Sequence, residues 1–221
     1  LRAGFEPSRV VFEEPAKTPA VLRKVLQLGA ALNIDNFQEF DRVAGLVSEM
    51  QSASEIGFRI NPQVGTGRIG AMSTATLSSK FVVALDDDGN REQIVECYVR
   101  NPWLTTQHTH VGSQGCSLEL METGVRKVTD LALQIIAAAG NRQVRVIDIG
   151  GGLAVNFDSA EVKPTFADYA RILRDEVPEL FTGDFRVKTE FGRSVIAKNG
   201  FIASRVEYTK VSGGRHIAIT H

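Results

Sequence analysis

The chain has 221 residues, 43% of them hydrophobic, and its 25 basic and 26 acidic side chains leave a formal net charge of −1. Charges of both signs are dispersed and no apolar run is long enough to span a bilayer, so neither nucleic acid nor a membrane is expected as a partner. Two cysteines, Cys97 and Cys116, indicate a reducing compartment rather than a disulfide framework, in a protein of one large domain or two small ones.

Strands and helices alternate from the start of the chain. A short apolar strand at 10–12 precedes a helix that Thr18 caps and Gly29 ends. A second strand at 31–34 leads to a helix for which Asn36 and Glu39 resemble a capping box. A third strand at 57–60 is followed by a loop at 65–79 that is rich in glycine, serine and threonine, and then by an acidic turn at 86–90.

The alternation continues to residue 190. We predict a fourth strand at 109–111, a long helix after it, a fifth strand at 144–149, a helix capped by Thr165 and a sixth strand at 186–190. Such a pattern predicts a parallel α/β sheet, wound as a barrel or open. Beyond Arg193 three short alternating segments at 195–197, 201–206 and 216–220 indicate the start of a β domain.

Unusual residues cluster where these strands end, which is where parallel α/β folds bind ligands. They are Asp35, Asn61, His110, Gly112, Ser113, Gly150, Gly151, Gly152, Glu190, Gly192 and Arg193. The three consecutive glycines follow a buried β-branched run, so their backbone amides are candidates for a phosphate cradle. A tight turn without a ligand explains the glycines alone equally well.

The other strand-end residues also have two readings. His108 fits a core histidine with a hydrogen bond, whereas His110 lies next to the turn; a His-x-His metal site is disfavoured because no Cys/His cluster completes it. Ser113 and Arg193 are candidate anion ligands. Glu190 either forms an ion pair with Arg193 or another cation, or serves a cationic ligand nitrogen.

Three motifs in register, HTHVGSQ, DIGGGL and EFGRS, resemble the alanine-racemase-fold pyridoxal-phosphate decarboxylases, which include diaminopimelate, ornithine and arginine decarboxylases. VVF, NIDN, RINP and SKF are similar to that family as well, so the resemblance covers essentially the whole chain. GSQ and Ser194 are more similar to the diaminopimelate enzymes. Phe191 departs from the usual proline and Val82 from the usual glycine, which puts the substrate in doubt but not the cofactor.

The resemblance implies pyridoxal 5′-phosphate as cofactor and a TIM-type (β/α) barrel as fold. It places His110 against the pyridine ring, Glu190 at the ring nitrogen, and Ser113, Gly150, Gly151, Gly152, Gly192 and Arg193 around the phosphate, with Arg193 also reaching substrate. Catalytic roles fall to Glu190 and His110, and no metal is implied. Because racemases of this fold are expected to carry an arginine in place of Glu190, the resemblance favours decarboxylation.

The family's barrel has eight strands, and its Schiff-base lysine lies on the first. The chain begins at Leu1 and stops at His221 within an alternating run, so we expect both ends to continue, the first two strands to be missing and the chain alone to be inactive. Residues 1–193 are then a partial cofactor-binding barrel and 194–221 the start of a truncated C-terminal β domain. Lys80 in SKF does not replace the missing lysine.

The implied reaction is decarboxylation of a diamino acid, meso-diaminopimelate to lysine, in lysine biosynthesis. The alternatives are an ornithine, lysine or arginine decarboxylase of the same fold, and a non-catalytic barrel that binds or regulates. The implied protein is a cytoplasmic homodimer, although organelle targeting stays open because the natural N-terminus is not in view.

Overall fold

A computed structural model of the chain describes residues 3–68, 70 and 73–221. Its main sheet consists of seven parallel strands. They are β1 (Val11–Phe12), β2 (Ala31–Ile34), β3 (Ile56–Asn61), β4 (Val83–Ala84), β5 (Leu104–Thr109), β6 (Val146–Asp148) and β7 (Arg186–Lys188). The strands lie in chain order except for β4, a short branch on β3, and an antiparallel hairpin of β8 (Val206–Ser212) and β9 (Arg215–Thr220) ends the chain.

Helices connect most of the strands. They are α1 (Pro19–Leu28), α2 (Phe37–Glu49), α3 (Asn90–Arg100), α4 (Leu118–Ala139), α5 (Phe166–Glu176) and the single turn α6 (Arg193–Ile196), with 3₁₀ turns at Pro7–Arg9 and Pro178–Phe181. The predicted caps Thr18, Asn36 and Thr165 each accept a hydrogen bond from a backbone N–H of the first helical turn. None of the described helices is long and apolar enough to cross a membrane.

The hydrophobic core lies between the sheet and the helices. Phe58 on β3 stacks with Phe40 of α2 at a centroid distance of 5.6 Å and lies 6.1 Å from the ring of Tyr98 on α3. The Tyr98 hydroxyl accepts a hydrogen bond from the Phe58 amide at 3.1 Å and donates one to the Thr106 carbonyl. Burying such side chains stabilises the fold by about 1.5–3 kcal/mol each.

The opposite face of the sheet carries a polar row. Strand register places Arg59, His108, Asp148 and Lys188 side by side on β3, β5, β6 and β7. Glu55, just before β3, forms ion pairs with both Arg186 and Lys188 of β7, the second at 2.7 Å. Because β5 and β6 lie between these partners, the contact requires the sheet to curl, which confirms the predicted partial barrel.

Four details differ from the sequence prediction. The segment predicted to alternate at 201–206 lies mostly before β8, which begins at Val206. The fourth major strand is Leu104–Thr109 rather than 109–111, because its buried threonines and glutamine gave no apolar pattern. The sequence predicted a turn at 86–90 but missed helix α3 after it, because the helix buries only Ile94 and Tyr98 and so shows no long apolar pattern. Residues 195–197 lie in a helical turn, because three residues cannot distinguish strand alternation from one turn of helix. The domain division after residue 193 stays a prediction.

Candidate active site

Three loops meet at the carboxyl ends of β5, β6 and β7 and enclose a cavity of about 220 Å³. It is lined by His110, Ser113, Gly152, Leu153, Glu190, Gly192, Arg193 and Ser194. Six of the eight predicted site residues are therefore brought together from segments up to about 80 residues apart in the chain. The remaining two, Gly150 and Gly151, do not line the cavity.

The glycine turn is dictated by neighbouring backbone. A Cβ on Gly151 would lie 2.4 Å from the carbonyl oxygen of Glu190, and one on Gly152 would lie 1.8 Å from that of Gly112. Gly152 also has φ +92, which side chains rarely adopt. The N–H of Gly150 donates to Asp148 Oδ1 at 3.0 Å, and the N–H of Gly151 to His110 Nδ1 at 3.1 Å. Close packing of the loops thus requires these glycines with or without a ligand.

Gln114 joins two of the loops. Its side-chain amide donates to the Val155 carbonyl at 2.7 Å and accepts from the Val155 N–H at 3.0 Å. This pair of hydrogen bonds holds the segment after β6 against the segment after β5. Gln114 stood in the quoted GSQ motif, but its role as a loop clamp was missed because its partner lies 41 residues away.

Arg193 lines the cavity, and its hydrogen-bond partners among the described residues are neutral. Its guanidinium donates to the Ser113 carbonyl at 2.5 Å, to Ser113 Oγ at 3.2 Å and to Gln114 Oε1 at 3.5 Å. Within the described part of the chain no carboxylate forms an ion pair with it, so the cation has no protein counter-charge. A partly buried guanidinium of this kind fits an anionic ligand such as a phosphate.

His110 presents a neutral ring to the cavity. Burial lowers the pKa of His110 below its ordinary value, and the positive charge of Arg59 lowers it further. The ring accepts from the Gly151 amide through Nδ1, which requires that nitrogen to be unprotonated. The arrangement provides a neutral aromatic surface.

Glu190 supplies the negative charge at the cavity. Burial tends to raise the pKa of Glu190, but the hydrogen bond with His108 and the electrostatic attraction of His108 and Arg59 hold it below the ordinary value. Oε2 lies 3.3 Å from His108 Nε2. The alternative ion pair with Arg193 is not found among the described residues. An ionised carboxylate is therefore available to a cationic group of a ligand.

The sequence reading missed the surroundings of His108. This histidine is fully buried, as expected, and besides Glu190 it contacts Glu13 across 3.4 Å at Nδ1. Glu13, His108 and Glu190 each offer an atom that lies within 4.8 Å of the others, a geometry in which a metal could be held. Arg59 already neutralises Glu13 at 2.6 Å, which opposes a cation there. The signal that could have revealed the group was the pair of charges, Glu13 and Arg59, next to or within predicted strands.

Four other residues that the sequence analysis named can also be placed in the structure, and two of them depart from the family pattern. Phe191, in place of proline, packs against the rings of Phe166 and Tyr169 at 5.0 and 6.2 Å. Val82, in place of glycine, has φ 64, an unfavourable conformation for a β-branched residue. Lys80 is exposed, with its ammonium 5.1 Å from the Phe81 ring centroid, and does not line the cavity. Cys116 is buried, as predicted, and burial raises the pKa of its thiol.

A cavity with a cation and a carboxylate at the strand ends of a parallel α/β barrel segment is at the place where such folds bind small ligands. Residues 1–197 match the family model for the pyridoxal binding domain of pyridoxal-dependent decarboxylases. The chain therefore belongs to the pyridoxal-dependent decarboxylase family, which confirms the predicted family, fold class and cofactor.

Two similar curated proteins are both diaminopimelate decarboxylases. The chain is 29% identical to a diaminopimelate decarboxylase of Pseudomonas aeruginosa over 225 residues, which cover 99% of this chain and 51% of that protein. It is 28% identical to a diaminopimelate decarboxylase of Helicobacter pylori, covering 99% of this chain and 53% of that one. The chain thus spans about half the length of the curated relatives that it matches.

Solved structures agree on the fold. The crystal structure of Helicobacter pylori diaminopimelate decarboxylase complexed with L-lysine matches with a TM-score of 0.80 and 26% identity, covering 99% of this chain and 54% of that one. The arginine decarboxylase of Paramecium bursaria Chlorella virus bound to agmatine matches with a TM-score of 0.71 at 18% identity, covering 99% of this chain and 55% of that one. At that identity the second match shows a shared fold only.

Proposed function

We propose that this chain forms the cofactor-binding part of a pyridoxal-phosphate-dependent decarboxylase that converts meso-diaminopimelate to L-lysine. The family match supports the cofactor, and the names of the curated relatives support the substrate. The single observation that carries the proposal is that two opposite charges line the same cavity without contacting each other. They are the guanidinium of Arg193, which has no counter-charge among the described residues, and the ionised carboxylate of Glu190. These charges are complementary to a phosphate and a protonated pyridine ring.

The phosphate end follows from the neutral partners of Arg193. In the proposal Arg193 and the Ser113 hydroxyl bind the phosphate, Gly192 leaves room for it because it has no side chain, and Gly152 lines the cavity with its backbone. A Cβ on Gly192 would meet no atom within 4 Å, in contrast to the crowded glycines of the β6 turn. Gly150 and Gly151 shape the turn beneath, and Arg193 also reaches the substrate.

The ring end follows from Glu190 and His110. When bound, the cofactor supplies an electron sink for the bond that breaks as carbon dioxide leaves. Glu190 keeps a proton on the ring nitrogen, because an ionised carboxylate stabilises the adjacent positive charge. His110 lies against the ring and, being neutral, does not compete for the carboxylate. A carboxylate at this position favours decarboxylation over racemisation, where the family is expected to use arginine.

A cytoplasmic homodimer, with a C-terminal β domain beginning near residue 194, completes the proposal. These parts are supported only by resemblance to the family. The exposed hairpin of β8 and β9, with Tyr208, Ile217 and Ile219 on its surface, is consistent with further β structure packing there.

The test is a substrate panel with the full protein. We expect pyridoxal phosphate to bind and carbon dioxide to be released from meso-diaminopimelate faster than from ornithine, lysine or arginine. Preference for one of the latter would replace the substrate but keep the enzyme class. Binding of the cofactor without carbon dioxide release from any of them would favour a non-catalytic barrel, and failure to bind pyridoxal phosphate would refute the proposal.

A further inference from the structure

A carboxylate faces each ring nitrogen of His108. Nε2 lies 3.3 Å from Glu190 Oε2 within hydrogen-bond geometry, and Nδ1 lies 3.4 Å from Glu13 Oε2 as an electrostatic contact without a hydrogen bond. The imidazole is completely buried, whereas the two carboxylates are each about a quarter exposed, at 26% and 25%. A ring enclosed in this way can turn little, so its contacts fix where the Glu190 carboxylate points.

Glu13 is itself held in place. Arg59 Nη1 lies 2.6 Å from Glu13 Oε1, and the side-chain amide of Asn33 donates to Oε2 at 3.1 Å. Glu13 therefore belongs to a row of contacts that runs from Arg59 through Glu13 and His108 to Glu190. The row links β1, β2, β3 and β5 to the loop after β7.

The charged and titratable groups around His108 come from β1, β3, β5, β6 and β7 or from the segments that follow them. They are Glu13 after β1, Arg59 on β3, His110 after β5, Asp148 on β6, and Lys188 and Glu190 on and after β7. Asp148 and Lys188 lie in register with His108 on β6 and β7, and Lys188 already forms an ion pair with Glu55 at 2.7 Å. The hydrogen bond to Glu190 is the only one that His108 makes with a described side chain.

We propose that His108 is a positioning residue for Glu190, and that Glu13, anchored by Arg59, positions His108 in turn. The assignment rests on the proposed function only in that Glu190 serves the cofactor's ring nitrogen. His108 occupies Oε2 of Glu190, while Oε1 makes no hydrogen bond to a described residue and is left for the ring nitrogen. His108 thus both orients the carboxylate and favours its ionised form.

The experiment compares four variants of the full protein. His108→Leu removes the ring donor, and His108→Gln retains an amide donor that can reach Glu190. Glu13→Gln keeps shape but removes the charge behind His108, and Glu14→Gln is its matched control because Glu14 is the adjacent, exposed glutamate. The first readout is the titration of the Glu190 carboxyl carbon by ¹³C NMR without cofactor, assigned with Glu190→Gln. The second is the affinity for pyridoxal phosphate.

We expect the Glu190 titration midpoint to move to higher pH in His108→Leu and partly back in His108→Gln. In Glu13→Gln the direction in which the Glu190 midpoint shifts distinguishes two explanations. If Glu13 acts directly on Glu190 as a negative neighbour, its removal lowers the midpoint; if Glu13 holds His108 in place, its removal raises the midpoint. Cofactor affinity should fall roughly tenfold in His108→Leu, the scale of one hydrogen bond to a charged group, and should not change in Glu14→Gln.

An unchanged or lowered midpoint in both His108→Leu and Glu13→Gln would overturn the inference, even if the wild type binds cofactor and releases carbon dioxide. A raised midpoint in His108→Leu with a lowered one in Glu13→Gln would remove Glu13 from the row. If the midpoints move as expected but the wild type does not bind pyridoxal phosphate, the proposed function fails and the positioning of Glu190 stands. The isosteric Glu13→Gln keeps the test valid if His108→Leu does not fold.

Discussion

Arg193→Gln should weaken binding of pyridoxal phosphate and leave the fold intact. Among the residues that the structure describes, the guanidinium donates only to neutral oxygens of Ser113 and Gln114, so its removal leaves no buried carboxylate without a partner. For stability, the substitution therefore removes only hydrogen bonds at a partly exposed site, and these contribute little to the free energy of unfolding. For binding, it removes the cation that faces the phosphate.

The magnitude follows from that difference. A hydrogen bond to a charged group contributes about 1.5–3 kcal/mol, which corresponds to roughly a 10- to 150-fold change in dissociation constant. The same change should hardly affect pyridoxal, which lacks the phosphate. Comparing the two ligands isolates the contribution of the phosphate from any general disturbance of the cavity.

The assay is a fluorescence or dialysis titration of wild type and Arg193→Gln with pyridoxal phosphate and with pyridoxal. Arg142→Gln is the matched control, since Arg142 is largely exposed and Asp184, at the surface, is its one ion-pair partner among the described residues. An equal loss of affinity for both ligands, or no loss for either, would show that Arg193 does not bind the phosphate.

Other perturbations test the ring end and the scaffold. Glu190→Gln should retain cofactor but reduce carbon dioxide release by about 10²–10³-fold, the scale of a lost charge-stabilising group; near-normal turnover would remove Glu190 from its role. Lys17→Met leaves the buried Glu39, 2.7 Å from the lost ammonium, without its cationic partner, and should cost about 3–5 kcal/mol in urea unfolding. Burial already raises the pKa of Glu39 more than Lys17 lowers it, so this loss should shrink as the pH falls through that raised pKa and the carboxyl takes up a proton; a loss independent of pH would contradict the reasoning. Val82→Gly should raise stability by about 0.5–1 kcal/mol by relieving a positive φ of 64, and a lower melting temperature would refute the strain.

The glycine motif shows what a local pattern can and cannot reveal. The sequence identified Gly150, Gly151 and Gly152 as a turn at a strand end, but not which atoms demand the absence of a side chain. Those atoms are carbonyl oxygens from loops about 40 residues away on either side, such as Glu190 against Gly151. A substitution such as Gly151→Val is now expected to disrupt loop packing, so it does not separate ligand contact from structure.

Local chemistry by itself determined the helix starts at Thr18, Asn36 and Thr165, the alternation of strands and helices that indicates a parallel sheet, and the motif residues that line the cavity. A cap, a buried run or a glycine turn depends on neighbours within a few residues, so the sequence displays it directly. Only the tertiary structure decided that Glu13, His108 and Glu190 meet, because the first and last lie on opposite edges of the sheet in chain order. Their contact depends on strand register and on how far the sheet curls, and both are set by packing of the whole barrel segment rather than by any local pattern.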